Sequence, residues 1–182
     1  MEYVNRKLEE FYNYIENKNV AIIGLGVSNK PLIQYLNDMK ANITVFDNRG
    51  RASIDEETLK QLSKYNIKAY FGENCLDDLK GFDIIFRSPS CRPDKKGILQ
   101  EVQNGAIVTT EIEMLLQLCP GKTIGITGSD GKTTTTTLIY NILKEKGYNC
   151  YLGGNIGVPL FTKIDEMTPD DIVVLELSSF QL

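Results

Sequence analysis

The stretch GITGSDGKTTTTT, from Gly125 to Thr137, decides the fold of this chain. A short apolar run at 123–126 leads into it, and apolar residues at helical spacing follow from Leu138 onward. A strand, a glycine-rich turn and a helix in this order direct backbone N–H groups and the positive end of a helix dipole at one place. The stretch therefore predicts a phosphate-binding loop, and an ordinary strand-to-helix turn is the alternative.

Lys132 and Thr133 supply the two side chains that such a loop needs. The lysine is a positive charge for terminal phosphates, and the threonine can offer its hydroxyl to Mg²⁺. The standard pattern would place a glycine where this chain has Ile126, and the glycines stand at positions 125, 128 and 131 instead. We therefore interpret the stretch as a variant P-loop.

The composition limits the function classes. Of the 182 residues, 42% are hydrophobic and 24% are charged, as in an ordinary soluble globular protein. A net charge of −4 argues against nucleic acid or an anionic membrane as the main partner. No apolar run approaches the ~20 residues that span a bilayer, and the charged N-terminus is unlike a secretory signal, so we expect a cytoplasmic protein.

Histidine is absent, and the four cysteines lie far apart. Scattered cysteines without a C-x-x-C pair indicate free thiols in a reducing compartment rather than a metal site. Acid–base or metal chemistry within this chain must therefore use carboxylates, lysines or a bound nucleotide.

Strand and helix patterns alternate along the chain. Apolar spacing predicts helices over residues 2–16, 31–39, 56–64, 95–103 and 111–118, and strands over 20–23, 43–46, 68–71, 82–86 and 106–108. This alternation predicts an α/β fold with a doubly wound, mostly parallel sheet.

Cys119-Pro120-Gly121 ends one helix and precedes the new strand–helix start, so the sequence predicts one domain over residues 1–119 and another from 120. In the second domain, 153–159 reads as a glycine-rich loop and 172–175 as a buried strand. Two or three strands do not make a stable sheet alone, so we expect residues 120–182 to be a truncated P-loop domain of a longer protein.

GLGVSN at 24–29 resembles the dinucleotide-binding fingerprint, except that Asn29 replaces its third glycine. Asp47, which follows the second strand, is placed to bind a ribose hydroxyl. The pattern favours a nucleotide site, with a purely structural turn as the alternative. Ser88 and Pro89 follow another strand and should point to the same edge of the sheet, unless they form a simple turn.

Glu176 ends the strand predicted over 172–175, beside the P-loop. A carboxylate at the carboxyl end of such a strand is where a Mg²⁺ ligand belongs, and a surface glutamate is the alternative. The polar residues Ser178, Ser179 and Gln181 follow it and can face the same crevice.

Four segments in order along the whole chain are similar to the Mur ligase family: GLGVSN at 24–29, GITGSDGKTTTT at 125–136, GGNIGVP at 153–159 and LELSSFQL at 175–182. The resemblance implies ATP-dependent amide bond formation through an acyl phosphate. Its last segment points to the member that joins D-glutamate to UDP-N-acetylmuramoyl-L-alanine in peptidoglycan precursor synthesis, and we expect a monomer. Residues 1–119 would then be a Rossmann-like UDP-binding domain.

The resemblance also assigns residues. Lys132 and Glu176 would be catalytic, and Thr133 and Glu176 would hold Mg²⁺. ATP phosphates would be held by Gly128, Ser129, Asp130, Gly131, Lys132, Thr133 and Thr134. The UDP moiety would be surrounded by Val27, Ser28, Asp47, Asn48, Arg49, Ser88 and Pro89. The muramoyl–alanine part would contact Asn155 and either Ser178 or Ser179.

Asp130 departs from the family, which usually has asparagine there, and Asn29 and Ser90 stand where glycine is common. The family's catalytic histidine, carbamylated lysine and D-glutamate-binding domain would lie beyond Leu182, so we expect this chain alone to be inactive. Two other function classes remain open. A nicotinamide-dependent oxidoreductase would leave the P-loop unexplained, and a non-catalytic module binding ATP or a nucleotide sugar would use both sites without turnover.

Overall fold

The computed structural model describes residues 3–179 and 181 and divides them into two compact units. One unit comprises residues 10–111, and the other comprises residues 3–9 with 112–179 and 181. Helix α1 (Arg6–Ile15) contributes residues to both units. The domain boundary expected between Cys119 and Pro120 stays a prediction.

Five parallel strands form the sheet of the first unit, in the order β3-β2-β1-β4-β5. Their bounds are β1 (Asn19–Ile23), β2 (Asn42–Asp47), β3 (Lys68–Phe71), β4 (Ile84–Arg87) and β5 (Ile107–Thr109). The register pairs Ile23 with both Phe46 and Arg87, so the carboxyl ends of the three inner strands meet at one edge. That edge is where an open parallel sheet binds ligands.

Three helices connect these strands: α2 (Lys30–Asp38), α3 (Glu56–Lys64) and α4 (Lys96–Gln103). Their apolar faces supply Leu32, Leu62 and Ile98 to the core. The last four residues of β1 are buried, because a central parallel strand is covered on both faces. The faces of the sheet at β1 are therefore covered, and a ligand would bind at the strand ends.

The second unit contains α5 (Glu111–Leu118), apart from its first residue, followed by β6 (Lys122–Ile126), α6 (Lys132–Glu145), β7 (Cys150–Gly154) and β8 (Ile172–Glu176). Its parallel strands have the order β6-β8-β7. All five residues of β8 are buried. The apolar run at 172–175 predicts this for the first four, and Glu176 is buried with them. The α/β class with parallel sheets is confirmed.

Strand β7 corrects the prediction that residues 153–159 form a loop throughout, because Gly153 and Gly154 end this strand. Glycine is depleted in strands, so the local pattern gave no strand signal. Gly154 pairs with Glu176, and a Cβ at Gly154 would lie 2.2 Å from the Glu176 carbonyl oxygen. The close approach of the two strands requires a glycine there.

Strand β4 begins at Ile84 rather than at Phe82. The Phe82 N–H donates instead to the buried carboxylate of Glu101 on α4, at 2.9 Å. None of the helices in the described ranges is long and apolar enough to cross a membrane.

Candidate functional site

Residues 127–131 connect β6 to α6 and form the predicted P-loop. Gly128 and Gly131 have φ angles of 146° and 73°, which favour glycine. Within the described part of the chain, the backbone N–H groups of 128–131 donate to no other group. The loop therefore presents open donors at the N-terminus of a 14-residue helix, which is the arrangement that binds phosphate.

The Lys132 side chain folds back over this loop. Its Nζ donates to the carbonyl oxygens of Gly128 at 2.7 Å and Ser129 at 3.1 Å. Asp130 is exposed, and it makes no ion pair or hydrogen bond with the residues that the structure describes. Asp130 therefore does not neutralise the lysine charge, which stays available to an anion in the loop.

Glu176, at the carboxyl end of β8, is the buried carboxylate of this unit's candidate site, with 2% of its surface exposed. Its Oε2 accepts a hydrogen bond from the Thr133 hydroxyl at 2.7 Å, and its Oε1 accepts one from the Asn155 amide at 3.0 Å. The Asn155 N–H also donates to the Glu176 carbonyl oxygen at 2.8 Å. The structure thus places Thr133 and Glu176, which the resemblance assigned together to Mg²⁺, in contact with Asn155, which it assigned to the muramoyl–alanine part.

The donor set at Thr133 and Glu176 fits Mg²⁺. Both groups are hard oxygen ligands, and Mg²⁺ in phosphate sites is held by one or two carboxylates together with waters and substrate phosphates. No cluster of three or more histidine, cysteine or acidic side chains suited to a metal occurs among the described residues. A cation at this place would therefore depend on phosphate oxygens for the rest of its ligands.

Ser178 and Ser179 follow β8 directly. The Ser178 N–H and hydroxyl both donate to Gln181 Oε1, at 2.9 and 3.0 Å, so Gln181 holds this turn in shape. Ser178 is half-buried and Ser179 is exposed. Their proposed contact with a substrate stays a prediction.

The turn between β1 and α2 lies beside the turn after β4. Gly24 has a φ of 86°, and a Cβ there would lie 2.7 Å from Ser88 Oγ, so these two residues are in close contact. Ser88 is held by a hydrogen bond from its N–H to Ile23 O at 2.8 Å, and Pro89 next to it is half-buried. The predicted meeting of the two turns at one sheet edge is confirmed.

Asn29, where the dinucleotide fingerprint has glycine, is 1% exposed. Its Nδ2 donates to Ile23 O at 3.0 Å, so its side chain ties the start of α2 to the end of β1. Its Oδ1 has no hydrogen-bond partner in the described structure. Asn29 thus lies where the helix packs closely against the strand, at the position that the third glycine of the fingerprint takes in dinucleotide-binding proteins.

Asp47 is buried, and its carboxylate is fully engaged by protein groups. It accepts from the Leu25 N–H at 2.7 Å and from the backbone and side chain of Arg49 at 2.8–2.9 Å. Burial raises the pKa of Asp47, but the hydrogen bonds and charge of Arg49 and the Leu25 N–H outweigh this and hold the pKa below its ordinary value. The same hydrogen bonding raises the pKa of Arg49.

A cavity of ≈ 90 Å³ lies at this edge, and its lining includes Gly24, Asn48 and Ser88. Sequence reasoning missed several lining residues, which come from the segments after β3 and β4: Glu73, Cys75, Leu76, Cys91 and Lys95. No local pattern marks them, because these residues belong to neither a strand nor an α-helix, and the path of the chain after β3 and β4 brings them to the cavity. In the neighbouring turn, Val27 is exposed and Ser28 is half-buried.

Two sequence-family models match this chain. The family described as Mur ligase MurD-like, N-terminal domain, matches residues 18–110, and the Mur ligase middle domain family matches residues 126–182. This chain belongs to the Mur ligase family. The first matched segment contains the glycine-rich turn between β1 and α2, and the second contains the P-loop. The family expected from the sequence is confirmed, while the role of each site residue stays a prediction.

Two Mur ligase relatives show the extent of the similarity. UDP-N-acetylmuramoylalanine–D-glutamate ligase of Clostridium acetobutylicum is 50% identical over 98% of this chain and 39% of its own length. The enzyme of the same name from Acetivibrio thermocellus is 53% identical over 98% of this chain and 38% of its own length. The chain thus spans about two fifths of these relatives. A murein peptide ligase of Psychrobacter arcticus aligns at 20% identity with a TM-score of 0.49, over 88% of this chain and 37% of that one.

Proposed function

We propose that this chain is the part of an ATP-dependent ligase that binds ATP and UDP-N-acetylmuramoyl-L-alanine, to which the whole enzyme adds D-glutamate in cytoplasmic peptidoglycan precursor synthesis. About half of its residues are identical to those of relatives that carry this enzyme name. The observation that carries the proposal is the hydrogen bond of Thr133 to Glu176 at the mouth of an open P-loop. We propose that the enzyme works as a monomer, with neither nucleic acid nor membrane as a partner.

The reaction has two steps in this proposal. The acceptor carboxylate attacks the γ-phosphorus of ATP, ADP leaves, and an acyl phosphate forms. The D-glutamate nitrogen then attacks the acyl carbon, loses a proton, and inorganic phosphate leaves. Negative charge on the phosphoryl oxygens must be stabilised in the first step, so positively charged and N–H donor groups carry the catalysis.

The P-loop residues have the phosphate-binding role. The N–H groups of 128–131 would bind phosphate oxygens, together with those of Thr133 and Thr134 in the first turn of α6. Lys132 would exchange the carbonyl oxygens of Gly128 and Ser129 for phosphate oxygens, because a charged partner is the stronger acceptor. Lys132 thereby acts on the transferred group itself.

Thr133 and Glu176 would hold Mg²⁺, whose bound charge favours attack at the γ-phosphate. Asn155 restrains Glu176 by donating to Oε1, so the carboxylate keeps Oε2 toward the P-loop threonine. Asn155 and either Ser178 or Ser179 would also contact the muramoyl–alanine part of the acceptor.

The first unit would hold the UDP part of the acceptor. The N–H groups of Gly26, Val27 and Ser28 donate to no group among the described residues, and they precede α2. These open donors suit a diphosphate, with the exposed guanidinium of Arg49 as a nearby positive charge. Asn48, Ser88 and Pro89 would complete this subsite.

Calorimetric titration of the 182-residue chain tests this proposal. UDP-N-acetylmuramoyl-L-alanine should bind and NAD should not, and Lys132→Ala should remove ATP binding while leaving the sugar nucleotide bound. Binding of NAD alone would overturn the proposal in favour of an oxidoreductase.

Phosphate release by the full-length protein tests the specificity. Release should require both UDP-N-acetylmuramoyl-L-alanine and D-glutamate. Release with a different amino acid would assign the protein to another member of the family, and binding without any release would indicate a non-catalytic module.

A further inference from the structure

We propose that Asp47 is a positioning residue that fixes the glycine-rich turn and the Arg49 guanidinium, and that it does not itself contact the bound nucleotide. The inference rests on the proposed binding of a uridine nucleotide at this edge of the first unit. An acidic residue closing the second strand of a dinucleotide-binding unit contacts the ribose hydroxyls directly. The contacts of Asp47 assign it a different task.

The acceptor capacity of the Asp47 carboxylate is used by the protein. Oδ2 accepts from the Leu25 N–H at 2.7 Å and from Arg49 Nη2 at 2.8 Å. Oδ1 accepts from the N–H and the Nε of Arg49, both at 2.9 Å. A carboxylate has about four acceptor positions, and only 2% of the residue surface is exposed. A ribose hydroxyl would have to displace a charge-assisted hydrogen bond to reach it.

The first consequence concerns the turn. Leu25 lies between the two glycines of the GLG sequence, and its N–H is directed at Asp47. The open donors therefore begin one residue later, at Gly26, Val27 and Ser28. By holding the Leu25 amide, Asp47 sets the direction from which these next amides leave the sheet edge.

The second consequence concerns Arg49. Its Nε and Nη2 face Asp47, and Nη2 also donates to the Leu25 carbonyl oxygen at 3.2 Å. This paired contact immobilises the planar guanidinium, while 46% of the side chain stays exposed. Asp47, Leu25 and Arg49 thus form one unit, in which the arginine supplies the exposed charge and the aspartate fixes its place.

Ribose discrimination separates positioning from direct contact. Affinities of UDP and of 2′,3′-dideoxy-UDP for the 182-residue chain are measured by calorimetry, with wild type and with Asp47→Asn. We expect Asp47→Asn to weaken both ligands by the same factor, about tenfold, because the loss acts through the turn and Arg49. If the loss is confined to UDP, so that the two ligands bind the variant equally, Asp47 contacts the ribose and the inference is overturned.

Coupling with Arg49 gives a second readout. The double variant Asp47→Asn/Arg49→Gln is compared with the two single variants for its affinity for UDP. Because Asp47 acts through Arg49, the double variant should bind UDP only slightly less tightly than whichever single variant binds UDP more weakly. Losses that simply add would show two independent roles and contradict the inference. If Asp47→Asn folds poorly, Arg49→Gln, which keeps Asp47 and its Leu25 contact, is measured with UDP and 2′,3′-dideoxy-UDP instead. It should weaken both ligands by the same factor, and a loss confined to UDP would contradict the inference.

Hydrogen exchange without ligand keeps this inference separate from the proposed function. The Leu25 amide should exchange at least about tenfold faster in Asp47→Asn, and Asp38→Asn on α2 serves as the control that leaves it unchanged. If wild type binds no uridine nucleotide, the proposed function fails, while this measurement still reports on the turn. An unchanged Leu25 exchange rate in Asp47→Asn would overturn the positioning role.

Discussion

Thr133 donates a hydrogen bond of 2.7 Å to Glu176, and this bond joins the first turn of α6 to the carboxyl end of β8. The two residues lie 43 positions apart in the sequence. Asn155 holds the other carboxylate oxygen, so the glutamate keeps one orientation beside the P-loop. The pair therefore offers a hydroxyl and a carboxylate oxygen to one cation next to the open N–H groups.

Removing the Thr133 hydroxyl should uncouple ATP binding from Mg²⁺. The measured quantity is the factor by which Mg²⁺ raises the affinity for ATP. We expect this factor to be about 10- to 100-fold smaller in Thr133→Val than in wild type, because one oxygen ligand and the partner of Glu176 are lost. Calorimetric titration of ATP with Mg²⁺ or with a chelator measures this difference. Thr137→Val, one turn further along α6 and also exposed, is the matched control. An undiminished effect of Mg²⁺ in Thr133→Val would exclude the site.

Removing the Asp130 charge should strengthen nucleotide binding. Asp130 is exposed and has no ion-pair partner in the described structure, so its charge repels a phosphate in the loop. We expect Asp130→Asn to bind ATP about two- to fivefold more tightly at low salt, with the gain shrinking as salt screens the repulsion. Glu145→Gln removes a charge from the far end of the same helix and should have no such effect. Weaker binding by Asp130→Asn would mean that the carboxylate assists the nucleotide.

Gly154 and Gly147 form a matched pair for the strand contact. Both have left-handed backbone conformations, with φ of 91° and 87°, but only Gly154 has a neighbour in the way of a Cβ. We expect Gly147→Ala to lower the free energy of unfolding by about 1 kcal/mol from backbone strain. Gly154→Ala should cost at least about 3 kcal/mol, because the backbones of β7 and β8 must separate. Urea unfolding measures both, and equal losses would show that no steric contact exists.

Asp47 should make the first unit sensitive to acid. Its pKa lies below the ordinary value in the folded chain, so its stabilising effect is complete above pH ~4 and is lost as the pH falls through the folded-state pKa. The difference in melting temperature between wild type and Asp47→Asn should therefore be largest at neutral pH and shrink below pH ~4. Thermal unfolding across this range tests it.

Much of the fold could be predicted because its signals are local. Apolar spacing located α3 and β3 at their observed bounds, and the glycines before Lys132 located the P-loop. Strand β7 could not be predicted, since Gly153 and Gly154 are poor strand formers whose place depends on the approach of β8. Similarly, Cys91 and Lys95 reach the cavity of the first unit through a segment with no repeating pattern.

The sequence by itself determined the order of strands and helices apart from β7, together with the P-loop and the family, because periodicity and turn chemistry act over a few neighbouring residues. Only the tertiary structure decided what the buried carboxylates of Glu176 and Asp47 contact. Glu176 meets Thr133 across 43 positions, and Asp47 meets the Leu25 amide across 22. Such partners depend on strand register and helix placement, which bring distant residues together at one sheet edge, so the sequence could place each carboxylate at a strand end without showing which groups it binds.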